Sequence, residues 1–445
     1  MANIVLVYEH KAREMESILL IQYELRRRGH NVELFHTHEL NRKKYIFNSP
    51  DVVVTPFLYG NAELDKYVFE TFGRIKRICN LQWEQVYNGT SKQNNKRTPK
   101  ENAKYATHIC WGKNSYNRLM ANGCINAKLT GAPHMDFLKK EFRTWYLSRD
   151  TLFEKYGLVR NNKTILFISS FSYLGLSDER MEEIKARADF DPYYFRDLTE
   201  KSRDIIFSWF EKVLIEQPDV TIVYRPHPGE LYDDKIKKMC ERFNNMKCIA
   251  DESVKQWIVA CDVILNWYST AGVEAYFAGK NNIFLRPVPF PTDMEFEMFE
   301  SVCTAMTLDD FVSLINDENK VEEYYLQHPL GERIAPYYLT DTSLSFVKIA
   351  DEIERLINSD GDKHLCDKYK ITKKIQSHIK YIAKELLYEN WRRSSHLALT
   401  IIEKVVRLQE FVNYQSRLEQ EKILPEDINL LETRIQAIYR DLGRG

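Results

Sequence analysis

The sequence predicts an α/β protein of two lobes, each a parallel sheet flanked by helices, with a helical extension behind them. Three observations predict it. Short apolar, β-branched runs alternate with helix-spaced segments from the first residues to about 340. The alternation breaks near 140–162 and then restarts, giving two series of similar size. Beyond about 343 strand signals fade and helical spacing takes over.

The first series opens with "NIVLVY" (3–8), a buried strand. In "REMESILLIQYELRRRGH" (13–30), Met15, Ile18, Leu19, Gln22 and Leu25 trace one helix face, and Gly29 is a C-terminal cap candidate. "NVELFH" (31–36) follows as a strand. A β-α-β opening implies a parallel sheet with right-handed crossovers. "DVVVTPFL" (51–58), "RICNLQ" (77–82), "THICWG" (107–112) and "AKLTGAP" (127–133) continue the strands. The polar stretch 88–102 between them reads as a loop.

"LFEKYGLVRNNK" predicts a short helix and turn between the lobes. The second series runs through strands at 164–170, 220–228, 246–250, 262–267 and 281–287. Its helices fall around 198–216, 231–243, 253–260 and 270–278. The expected division is 1–150, 151–342 and a helical tail, 343–445, in which residues 343–358 and 364–442 are helical with a break at "PED" (425–427). Two Rossmann-like lobes in this order imply a cleft between them, with ligands at the carboxyl ends of the strands.

Composition narrows the function classes. The 445 residues suit two domains, and 44% hydrophobic with 29% charged residues excludes a disordered chain. With 63 Lys+Arg against 64 Asp+Glu, no basic excess points to nucleic acid. The 8 cysteines form no C-x-x-C pair and imply a reducing cytoplasm. No apolar stretch is long enough for a signal peptide or a membrane span. In the tail, Leu397, Ile401, Val405, Leu408 and Val412 form a helical stripe that packs on the body or on a second subunit. "NWRRSSH" (390–396), with Lys373 and Lys374, reads as a solvated face or a peripheral membrane contact.

Three strand ends of the second series carry chemistry. "SSFSYLG" (169–175) offers Ser170 and Ser172, small residues beside which backbone N–H groups can approach a phosphate. "TIVYRPHPGE" (221–230) stops a buried strand on Arg225, whose planar fork suits phosphate, and His227, a hydrogen-bond donor, with Pro226 and Pro228 fixing the backbone. "LNWYSTAGVEAYFAGK" (265–280) ends on Trp267, and Ser269 and Thr270 open a helix whose hydroxyls and positive end suit a phosphate. Glu274, one turn on, could take ribose hydroxyls. Together the three suggest a nucleotide held by the second lobe.

The order strand–RPHP, strand–x-x-S-T–helix resembles the donor lobe of GT-B glycosyltransferases. Within that fold it is most similar to bacterial surface-polysaccharide enzymes of capsule, O-antigen and lipopolysaccharide synthesis: the CMP-Kdo and sialic-acid transferases and the CDP-glycerol glycerophosphotransferases. "YEHKARE" (8–14) and "TGAPHMDFL" (130–138) are similar to segments of the same group, and the resemblance spans about residues 1–340. One departure is His134, which stands where such families often carry an arginine.

The resemblance implies a cytoplasmic transferase, peripheral to the inner membrane face in one version. It moves a sugar, favoured as an acidic one from a CMP donor, to a glycan or lipid-linked acceptor. His227 would contact the donor phosphate, and Ser269 and Thr270 phosphate or ribose. The first lobe would bind the acceptor and supply a general base for an inverting transfer, from Glu9, His10, Glu14, Glu84 and Asp136. No D-x-D motif ends a strand, so no metal and no cofactor beyond the donor are expected, and nucleic acid is not a partner. A homodimer is a further expectation. The rival readings are a CDP-polyol phosphotransferase, a nucleotide-sugar 2-epimerase (against which "WYSTAG" replaces a "DSGG" segment) and a non-catalytic nucleotide-binding scaffold.

Overall fold

A computed structural model describes residues 1–87, 97–186, 188, 190–227, 229–230, 234–393 and 419–443, with the backbone alone over 387–393. The helical stripe expected at 397–412 and residues 394–396 of "NWRRSSH" lie outside the described residues. The chain divides into two compact units. The first comprises Met1–Val86, Lys96–Asp136 and the C-terminal stretch from Pro336; the second is built on Phe137–Ala335.

The first unit holds an all-parallel six-stranded sheet in the order β2-β1-β3-β4-β5-β6. Its strands are β1 (Asn3–Tyr8), β2 (Asn31–His36), β3 (Val52–Thr55), β4 (Ile78–Asn80), β5 (Thr107–Cys110) and β6 (Ala127–Leu129). β1 pairs with β2 from Asn3↔Asn31 to Tyr8↔His36 and with β3 from Ile4↔Val52. The strand order reverses between β1 and β3, which marks the switch point of this sheet.

Helix α1 (Lys11–Arg27) joins β1 to β2 and is buried along Ser17–Gln22, more fully than one apolar face requires. Its outer side is covered by helices α2 (Ser345–Ile357) and α3 (Pro425–Asp441). Arg28, just past α1, reaches Asp351 and Glu354 of α2 at 2.7 Å each. Tyr439 of α3 donates to the buried Glu24 at 2.6 Å. Residues 336–339 cross the exit of β5: Asn114 donates to the Pro336 carbonyl at 2.8 Å and Leu339 to the Trp111 carbonyl at 2.7 Å. A Cβ on Gly112 would lie 2.3 Å from the Tyr337 carbonyl carbon, so the crossing requires glycine. Within the region expected as a separate tail from 343, the helices Ser345–Ile357 and Pro425–Asp441 are therefore an outer layer of the first unit, and the unit boundary falls at 136/137 rather than near 150. The proline of "PED" starts α3 at its first turn, as the missing N–H of proline favours.

The second unit has a parallel sheet in the order β12-β11-β10-β7-β8-β9. Its strands are β7 (Lys163–Ile168), β8 (Val220–Arg225), β9 (Met246–Cys248), β10 (Val263–Asn266), β11 (Asn282–Leu285) and β12 (Thr304–Ala305). The sequence reading missed β12, whose two residues are too short for a periodic signal. Both faces are buried, with period 2. Ile165, Phe167, Ile222 and Tyr224 pack with Phe207 and Phe210, while Leu166, Ile168, Val223 and Ile264 pack with Leu152, Trp257 and Ile258. The switch point lies between β7 and β10.

Candidate functional sites

Each unit presents polar side chains at the carboxyl ends of its central strands. In the second unit, β7 and β8 run in register from Lys163↔Val220 to Ile168↔Arg225, so the segments starting at Ser169 and Pro226 emerge side by side. β10 pairs β7 on its other edge, which brings the segment from Trp267 alongside. Ser170, Ser172, His227, Ser269 and Thr270 therefore gather at one edge of this sheet. The Tyr268 N–H donates to Ser170 Oγ at 3.2 Å and links the two central exits directly.

His227 is exposed, and the Gly229 N–H donates to its Nδ1 at 3.0 Å. A ring nitrogen that accepts carries no proton, so the neutral ring keeps its proton on Nε2, available as a donor. Thr270 is the N-cap of helix α4 (Ala271–Phe277), and its side chain makes no cap hydrogen bond. Ser269 Oγ accepts the Ala271 N–H at 3.2 Å instead. Glu274 sits in the first turn of α4. Gly272 lets this helix lie close to β11, since a Cβ there would meet Asn282 Nδ2 at 2.7 Å.

Arg225 departs from the expectation of a phosphate fork. Its Nη1 donates to the carbonyls of Ile249 (3.1 Å) and Asp251 (2.6 Å), and its Nη2 to that of Glu252. The guanidinium fixes the 249–252 turn after β9, where Glu252 takes a φ of +60°, a strained value for a residue with a Cβ. Sequence reasoning also missed three residues beneath His227: Ser169, Tyr224 and Glu230. The only signal was the acid three positions after the histidine in "RPHPGE".

In the first unit, a pocket of about 160 Å³ is lined by Glu9, Arg13, Phe57, Tyr59, Trp83, Glu84 and Arg97. These residues follow β1, β3 and β4, around the switch point of that sheet. Phe57 and Tyr59 stack with centroids 5.3 Å apart. Glu84 is bridged by Arg13 at 3.1 Å and Arg97 at 2.6 Å, and Arg13 also reaches Glu9 at 3.9 Å. Gln82, at the exit of β4, is buried with a φ of +50°, a strained turn that carries Trp83 and Glu84 outward.

The other expected bases are placed differently. Glu14 is fully buried, and its carboxylate accepts the N–H groups of Glu9 (3.0 Å) and His10 (3.4 Å) and Arg13 Nη2 (2.8 Å). It fastens the start of α1 rather than lining the pocket. Burial raises its pKa above the usual carboxylate range, against the opposing pull of Arg13. Asp136 is also fully buried and accepts the Phe346 N–H at 2.9 Å in the first turn of α2. His10 is exposed between Glu9 and Glu421. His134, in the place of the family arginine, stacks edge-on against Trp111 at 4.7 Å.

Among the described residues, no group of three or more His, Cys, Asp or Glu could hold a metal ion. None of their helices is long and apolar enough to cross a membrane.

No family model matches the sequence, and no curated protein does. Solved structures match in fold. S. aureus MnaA in its UDP co-structure has a TM-score of 0.53 at 16% identity, over 81% of this chain and 99% of that one. A Listeria monocytogenes protein assigned as UDP-N-acetylglucosamine 2-epimerase has 0.51 at 11% identity, over 81% and 99%. A variant of the wall teichoic acid polymerase TagF has 0.53 at 10% identity, over 80% and 89%. At these identities the likeness shows the fold alone: the chain has a GT-B-like architecture of two Rossmann-like units.

Proposed function

We propose that this chain is a nucleotide-sugar-dependent glycosyltransferase of GT-B type. The second unit binds the donor phosphate and the first binds the acceptor. One observation carries the reading: hydroxyls, an imidazole whose Nδ1 accepts a backbone N–H and so leaves Nε2 as the donor, and a helix start gather at the carboxyl ends of the neighbouring strands β10, β7 and β8. That set stabilises a phosphate leaving group without needing a metal. His227 is the principal donor, Ser170, Ser172, Ser269 and Thr270 supply hydroxyls, and Glu274 is assigned to a ribose.

In the first unit the Phe57/Tyr59 stack and Trp83 offer flat apolar surface to a sugar ring, with Glu84 and Glu9 in the same pocket. A carboxylate there can take the proton of an acceptor hydroxyl. Glu84 is the favoured base and Glu9 the second choice, because both line the pocket, whereas Glu14 and Asp136 are buried and are not among its lining residues. The acceptor class is a surface glycan or lipid-linked glycan.

A second reading, a nucleotide-sugar 2-epimerase, is favoured by the nearly complete coverage of two structures by this fold, one of them assigned as such an enzyme. Incubation with UDP-, CMP- and CDP-activated donors, with and without glycan acceptors, separates the readings by mass and NMR of the products. A transferase releases nucleotide and extends the acceptor; an epimerase converts UDP-N-acetylglucosamine with no acceptor present. CDP-glycerol consumption would instead identify a polyol-phosphate transferase. A chain that processes no activated donor overturns the enzyme reading and leaves the nucleotide-binding scaffold.

A further inference from the structure

Beneath the phosphate-competent edge of the second unit lies a carboxylate that makes no contact with a described cation. Glu230 Oε2 accepts the Ser169 hydroxyl at 2.6 Å and the His227 backbone N–H at 3.2 Å. Its Oε1 accepts the buried Tyr224 hydroxyl, which also lies 2.7 Å from Ser169 Oγ. The Glu230 N–H returns to the His227 carbonyl at 2.8 Å. Ser169 Oγ in turn accepts the Phe171 N–H at 3.4 Å. One side chain thus ties the exit of β7, the end of β8 and the loop bearing His227.

A carboxylate close to an anion site is electrostatically unfavourable by itself. Its presence needs a compensating gain. The hydrogen bonds define that gain: Glu230 is tied to His227 through both its side chain and its own N–H, and the Gly229 N–H meets His227 Nδ1 beside that link. We propose that Glu230 is a positioning residue for the donor-phosphate site. It couples the β7 and β8 exits and holds His227 as the tautomer that donates from Nε2. The proposal rests on the reading of the second unit as a nucleotide site.

The test uses the full chain and the variants Glu230→Ala, Glu230→Gln, His227→Ala and the Glu230→Ala/His227→Ala double. Calorimetry with CMP, CDP and UDP measures affinity. Nitrogen-15 NMR of the ligand-free protein reads the His227 tautomer. Glu230→Ala should weaken nucleotide binding about tenfold, the scale of one hydrogen bond to a charged group. The double variant should bind no more weakly than His227→Ala alone, because both changes remove one device. His227 should be a single Nε2–H tautomer in the wild type and a mixture in both Glu230 variants. Glu230→Gln retains the side-chain shape and supplies this comparison if the alanine variant folds poorly.

Losses that multiply in the double variant, or a tautomer unchanged in Glu230→Gln, overturn the proposal. A wild-type chain that binds none of the three nucleotides overturns the nucleotide reading instead, and the tautomer measurement still decides what Glu230 positions.

Discussion

The two units share a parallel sheet and a switch point, yet they arm the carboxyl ends of their strands differently. In the second unit the presented groups are hydroxyls and an imidazole, and the charged residues nearby act on the backbone: Arg225 on the 249–252 carbonyls and Glu230 on the His227 loop. In the first unit the charges line the pocket themselves, with Glu84 held between Arg13 and Arg97 beside stacked aromatics. On the proposed function, the difference divides two tasks within one fold: neutral donors on a fixed backbone suit an anion, whereas a carboxylate exposed in a pocket suits the acceptance of a proton.

That division can be broken by substitution. The largest effect is expected at Glu84. If it is the base, Glu84→Gln lowers kcat by about 100- to 10,000-fold while donor affinity stays within twofold of wild type. An unaltered kcat would move the assignment to Glu9. His227→Ala should do the reverse, weakening nucleotide binding about tenfold or more with an unchanged melting temperature, since the ring is exposed. A loss of stability there would mean that His227 serves the fold.

Asp136→Ala sharpens the contrast between a pocket carboxylate and a buried one. It leaves the Phe346 N–H without its partner and should cost about 1–3 kcal/mol in denaturant unfolding. Activity per folded molecule should stay the same. A selective loss of turnover would restore Asp136 as a catalytic candidate.

The smallest expected effect is a pH dependence. Burial raises the pKa of Glu14 in the folded state, so the folded chain binds that proton more tightly than the unfolded one. Its contribution to stability is present below the unfolded carboxylate pKa, about 4.3, and is lost as pH rises through the folded value. Glu14→Gln should therefore flatten the decline in stability above about pH 4. A variant with the same slope as wild type would show that Glu14 remains ionised throughout.

Much of this architecture was legible in the sequence. Eleven of the strands announce themselves as β-branched or apolar runs because both sheet faces are buried, as Ile165–Ile168 illustrate. The clustering of Ser170, His227 and Thr270 followed from strand order, since residues that end neighbouring parallel strands share an edge. What stayed hidden depended on partners distant in sequence. Arg225 looked like a phosphate fork because the 249–252 carbonyls that occupy it lie some two dozen residues away. Glu14 looked available because Arg13 and the two N–H groups that hold it say nothing about its burial beneath the rest of the unit. The C-terminal helices looked like an appendage because nothing local to 345–357 or 425–441 reveals that they cover α1.

The most direct test of the division between the units is a crystal structure of the full chain with CMP or UDP bound. The account predicts phosphate oxygens at the ends of β7, β8 and β10, within hydrogen-bond distance of His227 Nε2 and of the Ser170 or Thr270 hydroxyl, with the pocket around Glu84 empty of nucleotide. A nucleotide seated instead against Phe57, Trp83 and Glu84 would contradict it.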